Sequence, residues 1–546
     1  VKNIFKYFLL PTFFLIESVS AQLPLSVTHE KLTINQKNAT LPPSNSVSHI
    51  SIDNGKIYIG TGNGLALSTD TGSSWTYFRD DPAFKSGGIY AIASHNETVW
   101  VSTGYNKETN SGSVQTGSGY AFRIHPDSSW NFVPQTLDLP GDSIISYGIN
   151  DSIQILPVTV PEQNITFDIA ISNGAVWIAS WASGLRKTTD NGVSWKRILL
   201  PHDYMNTISP DDTLWSYAST DSLKLKRIFK RWDPRDHLNL LAFSVHISGE
   251  DTIWCGTAGG INKSTDGGLS WTKFNHQNQA SPILGNWVIT IREQNFNNLH
   301  RIWTTNWKTD NNDDYGVSYT DDGGKSWTNI LHGIKAYDFA FKDSITYIAT
   351  NEGFYRTTDG GQTFTVFTNS ATAFNQERNV INTITLYDPT THQSITTTEF
   401  FSAGVLGNKI ITGSADGMAI AEETAGQDFG IKWKILRTYE VIGTTRRTYA
   451  YPNPFSPKYE LTRIHYGSSD NPIGNGIRQV TIDIFDFGMN RIRTLIKDAE
   501  RDASLEYDEL WDGRDDNGKI VANGVYFYRV VFNDDEPMMG KILVLQ

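Results

Sequence analysis

Three observations predict an all-β fold, a seven-bladed β-propeller followed by a smaller β-sandwich. An eight-residue pattern, Ser/Thr-x-Asp-x-Gly-x-Ser/Thr-aromatic, recurs along most of the chain. Each copy follows a Gly-rich lead-in and a short β-rich run, as in "KIYIGTGNGLALSTDTGSSW", and self-similarity of this kind marks a repeat architecture. Composition agrees: 12% aromatic residues, 19% charged residues and 45 glycines suit many short strands and tight turns rather than helices. At 546 residues the chain is also too long for one ordinary domain.

Clean copies of the pattern span Ser68–Trp75, Thr188–Trp195, Ser264–Trp271, Thr320–Trp327 and Thr357–Phe364. Asp and Ser/Thr side chains hydrogen-bond backbone amides in a turn, and Gly accepts positive φ. The closing aromatic begins the next strand. Asp70, Asp190, Asp266, Asp322 and Asp359 are therefore expected to be parts of stiff hairpins rather than catalytic acids. Each unit reads as four antiparallel strands, which is one propeller blade. They are a lead strand such as "FDIAISNG", a "VWIGT"-like strand, a "GLxxSTD" strand and one that starts at the aromatic. Two worn units complete the series, one leading from Val99 to Asp127 and Trp130, the other from Lys409 to Trp433.

The repeat resembles the Asp-box, or BNR repeat. Sialidases, sortilin-type receptors, xyloglucanases and photosystem II assembly factors carry it in β-propellers. The resemblance implies the fold and leaves function open, since those families do unrelated things.

In a four-stranded up-and-down blade the first and third turns share one face. The second turn and the connection between blades share the other. The Asp-boxes occupy third turns, so the long insertions 103–119, 134–166, 200–241, 275–286, 304–316 and 368–398 are expected on the opposite face. Function on rigid β-scaffolds sits in such loops, and the channel mouth on that face is the expected site.

The remaining segments divide as follows. Residues 1–21, with Lys2 and Lys6 before an apolar run and Val19-Ser20-Ala21 after it, read as a secretory signal. Residues 22–47 read as a leader or closing strand, with 28–36 a candidate for pairing the ends of the ring. The propeller is assigned 48–440 and a linker 441–448. Residues 449–546 alternate in short runs typical of a β-sandwich. "YPNPF" (451–455), "WDGRDDNG" (511–518), "NGVYFYRV" (523–530) and "GKILVL" (540–545) resemble the FlgD-type Ig-like domain and the C-terminal sorting domains of type IX secretion cargo. That resemblance implies the type IX secretion machinery as a partner. It also implies a route through the Sec pathway and then the outer membrane, ending in secretion or cell-surface attachment.

Net charge of −12 argues against nucleic acid or an anionic membrane as partner, and no later stretch is long and apolar enough to span a bilayer. The lone Cys255 excludes an intramolecular disulfide and reads as a small buried hydrophobe.

Candidate chemistry is sparse. "FRIHP" at 122–126 is the nearest string to the sialidase Arg-Ile-Pro motif, but His125 interrupts it, and Arg123 reads as a strand residue. Glycoside hydrolysis needs two carboxylates at a fixed separation; Asp313, Asp314, Glu352 and Asp416 are loop-face candidates, with Asp314, Glu352 and Asp416 carried forward. Tyr105, Trp181 and Trp307, in or near second turns, are expected either to stack on a sugar or peptide or to pack as a lid. The basic run Lys224–Trp232 brings Arg231 and Trp232 forward as contacts to an acidic ligand, although its alternation also suits a guarded edge strand. "DNNDDYG" offers Asp310, Asn312 and Asp314 as oxygen donors for calcium. Its glycine falls one place late and no glutamate follows at the usual offset, so no metal and no cofactor are assigned. The expected function is an exported binding protein for a glycan or protein ligand. The alternatives are a secreted glycoside hydrolase, sialidase-like or xyloglucanase-like, and a structural module of a surface assembly.

Overall fold

The structure is a computed structural model. It describes residues 40–84, 87–109, 112–125, 128–172, 174–220, 224–309, 312–369, 379–438, 448–467, 476–502, 505, 507–533 and 537–546. The signal segment, residues 28–36, Asp127, Asp310 and the linker 441–447 lie outside the described residues. The regular elements described are strands, apart from one short 3-10 turn at Leu238–Leu240. No described helix is long and apolar enough to cross a membrane. The chain divides into two compact units, Val1–Tyr439 and Glu440–Gln546.

The first unit is a propeller. Among the described residues, seven sheets follow one another in chain order, each containing four successive antiparallel strands. Their first strands are Val47–Asp53, Gly88–His95, Thr166–Ser172, Ala242–Ser248, Trp287–Phe296, Ala336–Lys342 and Phe400–Leu406. Each lies against the first strand of the next sheet, and the last lies against the first, so the sheets close a ring.

The second strand of a sheet is covered on both faces by its neighbours. In Lys56–Thr61, Ala175–Ser180, Thr252–Thr257, Ile345–Thr350 and Lys409–Ser414 every residue after the first is buried. Two-sided burial explains why these runs are apolar throughout instead of alternating. Their recurrent glycine lets the next sheet approach. A Cβ on Gly413 would meet the Val47 carbonyl oxygen at 2.4 Å, and one on Gly60 would meet Ile89 at 2.7 Å.

Residues just before the first strand tie the ring shut. The Asn45 carbonyl accepts the Gly417 amide at 2.7 Å, and its side-chain oxygen accepts the Thr438 amide at 2.7 Å. On the other side the Tyr77 hydroxyl donates to the Leu41 carbonyl, and the Asn63 side chain donates to the Pro43 carbonyl at 3.2 Å. Residues 41–46 thus bridge the last sheet to the first.

The expectation that the long insertions share the face opposite the Asp-boxes needs correction for three of them. Within 134–166, the hairpin of Ile144–Tyr147 and Asn150–Gln154 sends the Tyr147 hydroxyl to the Leu269 carbonyl, inside the repeat turn Ser264–Trp271, at 2.5 Å. In 200–241, Thr207–Ile208 adds to the outer strand Trp271–Phe274 of the fourth sheet. In 275–286, Gln279 donates to the Gly324 carbonyl of the repeat turn Thr320–Trp327 at 2.6 Å. The physical reason is apolar coverage. Ile153, Ile155, Leu200, Leu214 and Trp232 from the first two insertions are buried in one core with Trp177 and Trp271, so these segments lie along the outer edges of the sheets.

The second unit packs a three-stranded sheet (Thr448–Tyr451, Thr462–Tyr466, Tyr507–Trp511) and a four-stranded one (Arg491–Asp502, Ile477–Phe485, Gly524–Phe532, Met538–Val544) around a single core. Trp511, Tyr466 and Tyr528 fill it, each fully buried. Strand Gly524–Phe532 alternates as its half-buried position requires.

Candidate functional site

The first strand of every sheet carries a bulge near its start, at Ser48, Tyr90, Phe167, Phe243, Ile289, Tyr337 and Phe401. A bulge turns an extra side chain out of the ladder. All of these except Ser48 join one apolar cluster with Trp181, Trp287 and Trp307. Ring centroids lie 5.1 Å apart for Trp181 and Phe243, 5.7 Å for Trp307 and Tyr337, and 5.7 Å for Tyr337 and Phe401. This collar packs the channel mouth at the ends of the strands fed by the connections between sheets.

Beneath the collar a cavity of about 60 Å³ is lined by His49, Asp168, Arg292 and Asp338 together with collar residues. That is room for a few water molecules and not for a sugar ring. Arg292 lies 3.3 Å from Asp168 and 3.5 Å from Asp338. Asp168 also accepts the Val245 amide at 3.1 Å, and Asp338 the Ala403 amide at 3.3 Å. Burial pushes the Asp338 carboxyl up to about 6 against the pull of Arg292. Burial, then the Arg292 charge, holds the His49 imidazole down at about 4. At the collar the Tyr337 hydroxyl donates to Glu399, and burial followed by that carboxylate raises the phenol above its ordinary range.

The five aspartates of the eight-residue repeat engage their own hairpins. Asp266 accepts the Ser264 hydroxyl at 2.7 Å, the Leu269 and Ser270 amides at 3.0 and 2.9 Å, and the Ser270 hydroxyl at 2.5 Å. Asp70, Asp190, Asp322 and Asp359 each take the equivalent pair of hydroxyls. The Ser194 hydroxyl, then its amide and the Thr188 hydroxyl, hold Asp190 at about 2.

The other sequence candidates do not converge. Trp181 and Trp307 are buried at 7% and 4% exposure, so neither offers an open face. The reason is their place in the collar, where the Trp307 indole also donates to the Ala336 carbonyl at 3.0 Å. Tyr105 is half-buried. Trp232 is buried against His202, its indole donating to the Leu200 carbonyl at 2.9 Å. Arg231 is half exposed and pairs with Asp233 at 3.1 Å. Lys224–Phe229 pairs with Trp215–Thr220 as a hairpin.

Asp416 is buried and committed to Thr396 and Arg437, with the arginine at 2.6 Å. Asp314 is half-buried beside His332 at 3.7 Å. Glu352 follows the second strand of the sixth sheet and is half-buried. None of these three carboxylates lines the central cavity. Among the described residues no group of three or more His, Cys, Asp or Glu side chains is arranged to hold a metal.

Sequence reasoning missed Asp168, Arg292, Asp338, His49 and the Tyr337–Glu399 pair. One signal was available. "FDIAIS" and "YDFAFK" carry an Asp immediately after the bulged aromatic in otherwise apolar lead strands, and an isolated charge in such a strand asks for a partner across the ring.

No protein-family model matches the chain, and no curated protein matches it by sequence. Solved structures similar to it are β-propeller proteins. PorZ, a bacterial surface component of the type-IX secretion system of Porphyromonas gingivalis, is 13% identical with a TM-score of 0.41, covering 92% of this chain. The chain spans 60% of the PorZ chain. YCF48 from Cyanidioschyzon merolae is 12% identical, with a TM-score of 0.41 over 70% of this chain and 97% of that one. The GH74 enzyme of Niastella koreensis is 11% identical, with a TM-score of 0.46 over 93% of this chain and 74% of that one.

Proposed function

We propose that the first unit is a seven-bladed Asp-box propeller, that the second is an Ig-like sorting module, and that the chain is an exported binding protein for a glycan or protein ligand. The observation that carries the binding reading is the collar. Six bulged side chains and three tryptophans fill the mouth, so a ligand meets the outer surface of the ring rather than a deep central pocket. Rigid sheets supporting elaborated connections are a common basis for recognition. The sorting reading rests on the sequence motifs of 449–546 and on a compact second unit with a core of its own.

A glycan array and a peptide array, both probed with the purified chain, test the binding reading; silence on both would end it. Deleting 449–546 tests the sorting reading, which expects the first unit to be retained inside the cell.

A second reading, a secreted glycoside hydrolase, is favoured by one feature, the Tyr337–Glu399 pair at the collar. Hydrolysis requires a second carboxylate about 5–9.5 Å from the first. Release of reducing sugar by the wild type and its loss in Glu399→Gln would replace the binding reading with this one. The third alternative, a structural module of a surface assembly, expects no small ligand and a stable complex with other envelope proteins.

A further inference from the structure

The insertion 200–241 holds a group of titratable side chains away from the channel. His202 lies between two rings, the Trp232 indole at 3.9 Å and the His237 imidazole at 4.2 Å between centroids, and Tyr204 meets His237 edge-on at 5.7 Å. His202 is 4% exposed. Its Nε2 and the His237 Nδ1 are buried without a hydrogen-bond partner, although buried polar atoms are ordinarily paired. A phenylalanine ring would fill the same slot without that cost. What the histidine adds is a group that takes up a proton near neutral pH once it reaches water.

The groups that face the ring from each packed element oppose a charge on it. Lys273, on the outer strand of the fourth sheet, donates to the His202 and Asp203 carbonyls at 2.9 and 2.7 Å. Lys230 follows the hairpin strand Lys224–Phe229, and His237 precedes the 3-10 turn. The carboxylates of the cluster are engaged elsewhere. Asp203 accepts the Leu238 and Asn239 amides at 2.9 and 2.8 Å, and Asp233 pairs with Arg231 and Arg235 at 3.1 and 2.7 Å. Asp236 is exposed. Burial, then the charges of His237, Lys230 and Lys273, holds the His202 imidazole down at about 3.

The segment that carries His202 forms the rim of the fourth sheet. Thr207–Ile208 adds to Trp271–Phe274 on the side away from strand Gly260–Ser264. The Asn206 carbonyl accepts the Lys273 amide at 2.7 Å, and the Asn206 side-chain oxygen accepts the Asn278 amide group at 3.0 Å. These bonds, the two made by the Lys273 ammonium and the two accepted by Asp203 fasten the segment. Its departure would leave Trp271–Phe274 as an open edge.

We propose that His202 operates an acid-sensitive latch. On taking up a proton its ring leaves the slot between Trp232 and His237, segment 201–208 lifts from the fourth sheet, and the outer edge of Trp271–Phe274 meets solvent. The direction follows from linkage. The imidazole value is lower in the closed form than in water, so its support for closure is present above about pH 6.5 and is lost as pH falls through about 3. The latch does not depend on which ligand the chain binds.

Hydrogen exchange on the full chain, expressed as protection relative to the intrinsic rate at each pH, tests the latch. Between about pH 7 and about pH 5, protection over residues 203–208 should fall about twentyfold, while strand Ile345–Thr350 of the sixth sheet keeps its own. His202→Phe keeps a ring in the slot and cannot titrate, so its protection over 203–208 should stay level across that interval. His202→Gln, which also cannot titrate, should stay level from a lower starting point. A level wild type, or the same fall in both variants, overturns the proposal. So does a fall shared equally by Ile345–Thr350, which would mark loosening of the whole ring rather than of one segment.

Discussion

The side-chain oxygen of Asn45 accepts the backbone amide of Thr438 across nearly the whole propeller unit, at 2.7 Å. With the Asn45 carbonyl holding the Gly417 amide, this one buried residue joins the last sheet to the segment that enters the first. Asn45→Ala leaves the Thr438 amide without its acceptor, and the loss is expected to cost about 1–3 kcal/mol. A fall in the midpoint of urea unfolding measures it; an unchanged midpoint would show that closure is held elsewhere.

Glycine at the seam supplies a second prediction. Gly413→Ala sets a methyl group 2.4 Å from the Val47 carbonyl oxygen, a backbone atom that cannot swing aside. Gly60→Ala sets one 2.7 Å from an Ile89 side-chain carbon, which can. The first substitution should cost about 1–3 kcal/mol and the second less. Equal losses in paired thermal melts would contradict this account of the seam.

The collar predicts that its tryptophans matter for folding before binding. Trp181→Ala removes a buried indole packed on Phe243 and Trp287, and about 3–5 kcal/mol of stability should go with it. Chemical denaturation reads the loss directly. A fully stable variant with altered ligand binding would instead return Trp181 to the role of an open platform.

Two groups beneath the collar have opposed pH dependences. Asp338 is raised to about 6 in the folded state, so its contribution is present below the unfolded carboxyl value and is lost as pH rises through about 6. His49 is depressed to about 4, so its contribution is present above the unfolded imidazole value and is lost as pH falls through about 4. Between these limits the two offset each other. Asp338→Asn removes one side of the balance, so stability should fall more steeply than in the wild type on acidification from about pH 6.5 to about pH 4, an interval in which His202, held down at about 3 by burial and the His237 charge, loses support in both proteins. Parallel melting curves across that range for both proteins would refute the pairing.

The aspartates of the repeated hairpins act at lower pH. Asp190, Asp322 and Asp359 are held at about 2 in the fold. A depressed carboxyl supports the fold above its unfolded value, and that support is lost as pH falls through the folded one. Acid unfolding should therefore gather between about pH 4 and pH 2. Asp190→Asn should shallow the slope in that interval while leaving the stability at pH 7 lower than that of the wild type.

Much of the propeller was legible because its signals are local. Ser264, Asp266 and Ser270 close their hydrogen bonds within one turn, so eight residues specify the hairpin wherever they occur. Two-sided burial likewise leaves its mark on each five- or six-residue apolar run. The candidate site was much less legible. Asp168 and Arg292 stand 124 positions apart and meet only because the ring closes, and a bulge that turns Tyr337 toward Glu399 leaves no composition of its own.

The chain by itself determined where strands turn, which turns carry the eight-residue repeat and which runs are buried on both faces, since each depends on neighbours a few residues away. Tertiary structure alone decided that Trp181 and Trp307 are buried, that three insertions reach the repeated hairpins, and that an arginine and two aspartates share one small cavity. Burial and ion pairing depend on everything packed around a group, and in a closed ring most of that comes from other sheets.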